Sequence, residues 1–138
     1  MEAVTSLMRV HQLLITELDE LLRPIGLTFA RFEVLVLLSF SRRGALPLGK
    51  IGERLQVHAT SVTPLVKRLE QNGLITRTRH PEDGRAVLAE ITPAGREITE
   101  RASKIITDAR FGLGALSDDE CRELTAVLTR PRSAAGDF

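Results

Sequence analysis

Apolar residues recur every three or four positions along most of this chain, a spacing typical of one face of an α-helix. The first such pattern covers residues 4–22 and stops before Pro24 and Gly26, which are residue types that end helices. It predicts an N-terminal amphipathic helix with a wide apolar face. That face comprises Val4, Leu7, Met8, His11, Leu14, Ile15, Leu18, Leu21 and Leu22.

Two shorter helices are predicted between residues 28 and 55. Thr28 is a suitable N-cap for the first, whose apolar positions begin at Phe29. Residues 41–47 are predicted to form a loop. The second helix is predicted from the helical spacing of its apolar positions, which are Leu48, Ile51 and Leu55.

A further helix is predicted after a break at residues 56–58, and its two faces differ in chemistry. The buried stripe comprises Val62, Leu65, Val66 and Leu69. The opposite face carries hydroxyl groups, an amide and two cations, but no large apolar side chain. Its residues are Thr60, Ser61, Thr63, Lys67, Arg68 and Gln71.

Pro64 conflicts with this helix, because proline in a helix interior costs roughly 3 kcal/mol. We therefore expect the helix to start late, with Thr60 or Ser61 as its N-cap, or to bend mildly at Pro64. Gly73 follows the last periodic residues and suits a left-handed C-cap.

Residues 74–91 carry the signature of a β-hairpin. Residues 74–79 are rich in β-branched residues and arginine, residues 80–84 are dense in turn formers, and residues 85–91 alternate like a strand. Arg77, Arg79 and Arg85 lie on or beside this hairpin. A hairpin arginine can enter a minor groove, although such charges also keep an exposed hairpin soluble and unpaired at its edges.

Two more helices are predicted after the hairpin. Thr92-Pro93 opens the first, and Gly112 and Gly114 interrupt the pattern. Ser117–Glu120 is a capping box for the last helix, which Pro131 is predicted to end, leaving residues 132–138 as a loose tail. The predicted buried stripe of that helix comprises Cys121, Leu124, Val127 and Leu128.

The predicted architecture is one mainly α domain with a small β-hairpin wing. An exposed polar helix held by a partner helix, beside a basic hairpin, is an arrangement that enters the grooves of duplex DNA. We therefore predict a winged helix-turn-helix over residues 28–92. Residues 1–24 and 93–131 would form a dimerisation bundle, and an intramolecular four-helix pack is the alternative.

The distribution of charge supports this interpretation. The net charge of the chain is only +1, but residues 42–96 hold ten Lys or Arg against five Asp or Glu, and the remainder holds nine against thirteen. Positive charge therefore concentrates where the groove-binding elements are predicted. The five phenylalanines, with no tyrosine or tryptophan, argue against a single-strand-binding platform built from exposed rings.

Other classes of protein find little support. No apolar run is long enough to span a membrane, the first residues do not resemble a signal peptide, and one cysteine gives no disulfide framework, so we expect a cytoplasmic protein. The three histidines and the cysteine lack metal-ligand spacing, and no phosphate loop or nucleophile motif is present. We predict no enzyme activity, metal or cofactor.

Two segments resemble a known family. The strings SVTPLVKRLEQNGLITR and HPEDGRAVLAEITPAGR are similar to the winged-helix repressors of the multiple-antibiotic-resistance regulator (MarR) family, including the Asp-x-Arg of the wing at Asp83-Gly84-Arg85. The strand-to-helix ending at residues 91–95 and the segments at residues 26–28 and 32–35 also fit. The resemblance covers nearly the whole chain.

The resemblance implies an obligate homodimer on a pseudo-palindromic operator, most often as a repressor. Recognition helices would lie in the major groove and wing arginines in the adjacent minor groove. Many relatives release DNA when a small aromatic acid or phenol binds, but this effector pocket has no fixed sequence signature. An activator, a ligand-independent or redox-responsive regulator, and a winged helix used for protein–protein assembly remain alternatives.

Roles for individual residues follow from their positions and from the resemblance. Thr60, Ser61, Thr63 and Lys67 are expected to face bases or nearby phosphates, with Arg68 and Gln71 as secondary contacts. Arg85 is expected in the minor groove, Asp83 is expected to hold the wing tip in shape, and Arg77 and Arg79 are expected to contact phosphates.

Two isolated residues have alternative interpretations. Cys121 could be a redox sensor, but its position on an apolar stripe favours a buried structural cysteine. Some relatives sense peroxide through a thiol in the first helical segment, which has none here. His11 could line a ligand pocket or respond to pH, although an ordinary interface histidine is the simpler interpretation. His58 and His80 lie where either could contact phosphate.

Overall fold

The computed structural model describes residues 1–137, which contain six α-helices and three β-strands. The helices are α1 (Glu2–Leu22), α2 (Phe29–Phe40), α3 (Leu48–Leu55), α4 (Ala59–Gln71), α5 (Pro93–Asp108) and α6 (Asp118–Ala134). The strands are β1 (Ala45–Pro47), β2 (Ile75–Arg79) and β3 (Val87–Ile91), and single 3-10 turns occupy Arg23–Ile25 and Arg110–Gly112. The predicted fold class, mainly helical with a hairpin wing, is confirmed.

The three strands form one antiparallel sheet in the order β1-β3-β2. Ala89 of β3 lies opposite Leu46 of β1 and Arg77 of β2. The predicted loop over residues 41–47 is wrong for Ala45–Pro47, which form β1. A three-residue edge strand has no periodicity of its own, because its conformation is set by pairing with a distant part of the chain.

A single core lies between the sheet and helices α2 to α5. Fully buried side chains come from α2, α3, α4, both hairpin strands and α5, and the end of α1 closes one side. The carboxylate of Asp19 in α1 accepts a hydrogen bond of 2.7 Å from the backbone N–H of Phe29, which fixes the start of α2 against α1. The largest buried side chains are Leu22, Leu35, Leu38, Ile51, Leu69, Ile75 and Ile106.

Most of the predicted helix ends are confirmed. Thr28, Thr92 and Ser117 each cap a helix through the side-chain oxygen, and the capping box between Ser117 and Glu120 is complete. Gly73 has a φ of +71°, and residues 73 and 74 close the end of α4 with backbone hydrogen bonds in the pattern of a Schellman motif. These caps satisfy backbone groups at the starts of α2, α5 and α6 and at the end of α4.

The end of α6 differs from the prediction. The helix continues past Pro131 to Ala134, and the backbone N–H of Ala135 donates to the carbonyl of Pro131. Near a helix end proline removes one hydrogen bond without disturbing a long ladder, so the helix continues through it. The loose tail over residues 132–138 is therefore wrong for residues 132–134, while Phe138 lies outside the described residues.

The terminal helices leave most of their apolar stripes exposed in the single chain. In α1 only Leu18 and Leu22 are buried, and Leu7 is 49% exposed. In α6 no residue is buried, so the buried stripe predicted from Cys121 to Leu128 is wrong for the single chain, and Val127 is 61% exposed. An intramolecular four-helix pack is likewise not formed, because α6 covers no core of its own chain. No helix within residues 1–137 has the length and apolar content that a membrane crossing requires.

Replacing Gly95 by alanine is expected to destabilise the fold by about 1–3 kcal/mol. A Cβ atom there would clash with the carbonyl oxygen of Leu74 and would lie 2.7 Å from the side chain of Ile91. Thermal unfolding at one protein concentration measures the effect. Gly49→Ala is the matched control, because nothing lies within 4 Å of its Cβ position and alanine favours a helix. Equal unfolding temperatures for the two variants would contradict the close packing of Gly95 against Leu74 and Ile91.

Candidate nucleic-acid interface

Helix α4 presents a polar face to solvent because its opposite face is locked into the core. Val62, Val66 and Leu69 are at most 1% exposed, and Ile51 of α3 is fully buried with them. The residues facing outward are exposed, and together we name them the recognition face: Thr60, Ser61, Thr63, Lys67, Arg68 and Gln71. The hydroxyls, amide and cations of this face are therefore available to a partner outside the chain.

The N-terminus of α4 is built differently from the prediction. The N-cap is His58, not Thr60 or Ser61, and its Nδ1 accepts a hydrogen bond of 3.2 Å from the backbone N–H of Thr60. The hydroxyl of Thr60 also lies 2.9 Å from this nitrogen. Pro64 is consequently inside the helix, where the loss of one backbone hydrogen bond is offset by burial of the apolar stripe on both sides of it. This start places Thr60 and Ser61 within the first turn of the helix.

The short turn between α3 and α4 requires a left-handed residue, which is Gln56 with a φ of +52°. Gly52 packs beneath this turn, since a Cβ there would lie 3.1 Å from the carbonyl oxygen of Val57 and 3.3 Å from the side chain of Val62. The close approach of α3 to the turn fixes the orientation of α4 relative to its supporting helix.

Arg77 connects the end of α4 to the sheet. Its Nε donates a hydrogen bond of 2.8 Å to Glu70, and its Nη2 lies 2.6 Å from the same carboxylate oxygen. This hydrogen bond holds the pKa of the Glu70 carboxyl below its ordinary value and raises the pKa of the Arg77 guanidinium. Arg77 thus has a partner within the chain, and the geometry fits a brace between α4 and β2 as well as the predicted phosphate contact.

The wing consists of β2, the loop of residues 80–86 and β3, and its loop is braced internally. The carboxylate of Asp83 accepts a hydrogen bond of 3.1 Å from the backbone N–H of Arg85, and the carbonyl of Asp83 accepts one of 3.0 Å from Ala86. Nδ1 of His80 accepts from the backbone N–H groups of Glu82 and Asp83, at 3.2 and 3.3 Å. The bonds to Asp83 fit its predicted role at the wing tip, while the contribution of His80 was not predicted from the sequence.

The cations of this surface form two groups: some are paired with a carboxylate of the chain, and others are not. Glu53 pairs with Lys50, and Glu70 pairs with Arg77. Within residues 1–137, no ion pair involves Lys67, Arg68, Arg79 or Arg85, all of which are exposed. These four side chains therefore carry positive charge that an external polyanion can neutralise.

Arg31 adds a further cation that the sequence did not single out. It lies half-buried at the start of α2, and its Nε donates a hydrogen bond of 3.1 Å to the hydroxyl of Thr28. Burial, and then the positive charge of Arg68, lower the pKa of the Arg31 guanidinium. Arg31 therefore lies close enough to the recognition face to add to its positive potential. Residue spacing did not indicate a role for Arg31, because residues 31 and 68 come near each other only in the fold.

His11 and Cys121 lie on the terminal helices α1 and α6, outside the recognition face and the wing. His11 is exposed on α1. Burial raises the pKa of the nearby Glu33 carboxyl, and the interaction of that carboxyl with His11 partly opposes this rise. Cys121 is half-buried, so it is not the fully buried cysteine predicted, because α6 lacks a partner surface in the single chain. Among the described residues, no three His, Cys, Asp or Glu side chains are grouped as metal ligands.

A cavity of about 550 Å³ lies between α2 and α5. Its walls are mainly aromatic and aliphatic, with hydroxyl groups from α5 at one side. The lining also includes two charged residues, Arg96 and Glu100. The residues that line it are Phe32, Val36, Ser39, Phe40, Arg96, Thr99, Glu100, Ser103 and Phe111. Its size and lining suit a small organic molecule.

Comparison with known proteins identifies the family. A sequence profile of the MarR family matches residues 27–87. The HTH-type transcriptional repressor MdtR of Bacillus subtilis (strain 168) is 34% identical over 132 residues, which span 94% of this chain and 83% of that protein. The crystal structure of Sco5413, a MarR family transcriptional regulator from Streptomyces coelicolor, is 51% identical with a TM-score of 0.94, covering 99% of this chain and 95% of that one.

A structure that contains DNA is also similar. A mutant of MarR from E. coli, crystallised in complex with operator DNA, is 26% identical with a TM-score of 0.85, and the match covers 94% of this chain and 93% of that one. The similarity extends over the helix-turn-helix, the wing and the terminal helices. On this evidence the chain belongs to the MarR family and is a DNA-binding transcriptional regulator, not an enzyme.

Proposed function

We propose that two copies of this chain bind a pseudo-palindromic operator and repress transcription from it. The recognition face would enter the major groove, where its hydroxyls, amide and cations can hydrogen-bond to base edges and phosphates. Arg85 would enter the adjacent minor groove from the braced wing loop, and Arg79 would contact the backbone. The observation that carries the proposal is the joint exposure of this face and of four cations that no carboxylate of the described chain neutralises.

The proposed division of the chain assigns residues 28–92 to DNA binding, and residues 1–24 and 93–131 to dimerisation. Leu7, Met8, Leu124 and Val127 lie on helices that bury little within their own chain. A second copy related by a two-fold axis would cover these side chains and hold the two α4 helices at a fixed separation. Free energy from burial of these apolar surfaces would stabilise the pair.

The proposal includes repression of transcription and release of the protein from DNA by a small ligand. The relative MdtR is named a repressor. The cavity between α2 and α5 joins a helix of the DNA-binding part to one of the proposed dimerisation part, so a ligand there would couple the two. A small aromatic acid or phenol fits the aromatic walls, and its binding would shift the separation of the α4 helices.

Replacing Lys67 by alanine is expected to lower the salt dependence of DNA binding. If Lys67 contacts only phosphate, the slope of log K against log salt should decrease by about one for each phosphate that is no longer neutralised, with a nearly uniform loss of affinity across sequences. Titration of a labelled duplex at several salt concentrations measures this slope. A slope equal to that of the parent protein would reject the phosphate contact.

The proposal is tested first with labelled random-sequence duplex at low salt. A DNA-binding protein should shift this duplex, and the shift should weaken as salt increases. A winged helix that serves protein–protein assembly should leave the duplex unbound, which would overturn the proposal. Footprinting of the DNA that flanks the coding region of the protein would then locate the operator, and transcription in vitro with and without the protein would decide between repression and activation.

A further inference from the structure

A second group of arginines lies at the base of the wing, outside the recognition face. They line a hollow of about 670 Å³ between the segment joining α2 to β1, helix α3 and the start of the wing loop. We name it the wing-base hollow, and its polar lining includes Arg42, Arg43, Arg54, His80 and Glu82. Three arginines and one acidic residue, Glu82, are thus among the described lining residues.

The segment that carries two of these arginines is a tight and well-anchored turn. The backbone N–H of Gly44 donates to the carbonyl of Ser41 at 3.1 Å, and the carbonyl of Gly44 accepts from Ile91 at 2.9 Å. Gly44 has a φ of +68°, and a Cβ there would clash with the guanidinium of Arg96. The turn therefore presents Arg42 and Arg43 from a fixed backbone next to β1, which reduces the entropy lost when a ligand binds.

The arginines of the hollow are free to bind an anion. Within residues 1–137, neither Arg42, Arg43 nor Arg54 takes part in an ion pair. The lining also includes apolar residues, Leu46 and Leu88 among them. Guanidinium groups bind phosphate through paired, charge-assisted hydrogen bonds, so three arginines around one hollow favour a phosphate over a neutral ligand.

We propose that the wing-base hollow binds phosphate groups, and that their source is the backbone of the DNA flanking the wing. This inference rests on the proposed function. His80 and Glu82 belong both to the hollow and to the loop that carries Arg85. Because Arg85 follows His80 closely along the chain, their Cα atoms lie within about 18 Å of each other. The hollow thus adjoins the same wing loop that is proposed to enter the minor groove, and its arginines would extend the footprint outward from the operator.

The test compares a triple variant, R42Q/R43Q/R54Q, with a charge-matched control, R9Q/R101Q/R130Q, whose exposed arginines lie on α1, α5 and α6. Both variants lose three positive charges, and none of the six residues belongs to the recognition face. Affinity for a random-sequence duplex of about 40 base pairs, long enough to flank two half-sites, is measured as a function of salt. Unchanged thermal unfolding and an unchanged oligomeric state verify that both variants fold.

We expect the salt slope of the triple variant to fall by about one for each phosphate that its glutamines leave unneutralised, while the control keeps the slope of the parent protein. Equal slopes for both variants and the parent, with the parent bound to the duplex, would overturn the assignment to flanking DNA. Failure of the proposed function has a different signature, because the parent protein itself would then show no salt-dependent binding.

A calorimetric titration with inorganic phosphate and with pyrophosphate, at fixed ionic strength, distinguishes the other source of the same chemistry. Binding to the parent and not to the triple variant, together with unchanged DNA slopes, would assign the hollow to a free phosphorylated ligand and overturn the DNA source. Equal weak binding to the parent, the triple variant and the control, again with unchanged DNA slopes, would overturn the hollow as a phosphate site altogether.

Discussion

Replacing Arg85 by alanine is expected to weaken binding to duplex DNA by about 1–3 kcal/mol for each wing, so that a dimer with two engaged wings loses about twice as much. The physical reason is the position of this side chain on a loop that is braced by hydrogen bonds to Asp83 and His80. A guanidinium presented by a rigid loop loses little entropy on entering the minor groove, where the potential is most negative. Titration of labelled operator at fixed salt measures the loss.

Two controls sharpen this prediction. Arg101→Ala removes the same charge from an exposed position on α5, away from the wing, and should leave affinity nearly unchanged. Asp83→Ala keeps Arg85 but removes the acceptor that braces its backbone, so a smaller loss than that of Arg85→Ala is expected. If Arg85→Ala binds like the parent protein, the wing does not enter the minor groove.

Replacing Leu7 by glutamate is expected to convert the protein to a monomer and to weaken operator binding by about 10²–10⁴-fold. Leu7 lies on the apolar stripe of α1 and is 49% exposed in the single chain, so a charge there would be buried only in the dimer. A monomer binds one half-site at a time and loses the effective concentration that the second recognition helix gains from the first. Sedimentation and operator titration measure the two effects.

The matched control for this substitution is Thr16→Glu, which adds the same charge to α1 at an exposed position on the side opposite the apolar stripe. It should remain dimeric and bind the operator as the parent does. A Leu7→Glu protein that stays dimeric would show that α1 does not contribute to the interface. A monomer with full affinity would show that each chain binds the operator independently.

Local features of the fold could be predicted from the sequence because short-range chemistry determines them. Thr28, Thr92 and Ser117 cap their helices as expected, since an N-cap depends on one side chain and the backbone a few residues on. Gly73 was likewise predicted from its position after the last apolar repeat. The periodicity of Val62 to Leu69 identified which face of α4 is buried, and therefore which face is available to DNA.

Features that depend on distant parts of the chain could not be predicted in this way. Strand β1 forms because Ala45–Pro47 pair with β3, and nothing within these three residues specifies that pairing. The brace between Glu70 and Arg77 joins two different elements, so residue spacing on one helix does not indicate it. His58 was not predicted as the N-cap of α4, because histidine is not among the preferred N-cap residues and Pro64 favoured a later start of the helix.

The exposed stripe of α6 shows both what residue spacing can predict and what it cannot. The spacing of Leu124 and Val127 correctly identified an amphipathic helix, but spacing does not specify which chain covers the apolar face. The arginines of the wing-base hollow illustrate the same limit, because residues 42, 43 and 54 are brought together by β1 and α3 rather than by a shared periodicity. The family resemblance supplied the expectation of a dimer that periodicity alone left open.

The stoichiometry of the complex with duplex DNA tests the central claim most directly. Sedimentation equilibrium of the protein with a labelled operator duplex gives the number of 15.2-kDa chains on each duplex. Two chains per duplex are predicted, with binding that weakens steeply as salt increases, because two α4 helices and two wings then displace counterions together. One chain per duplex at saturation, or no binding to any duplex at low salt, would contradict the account.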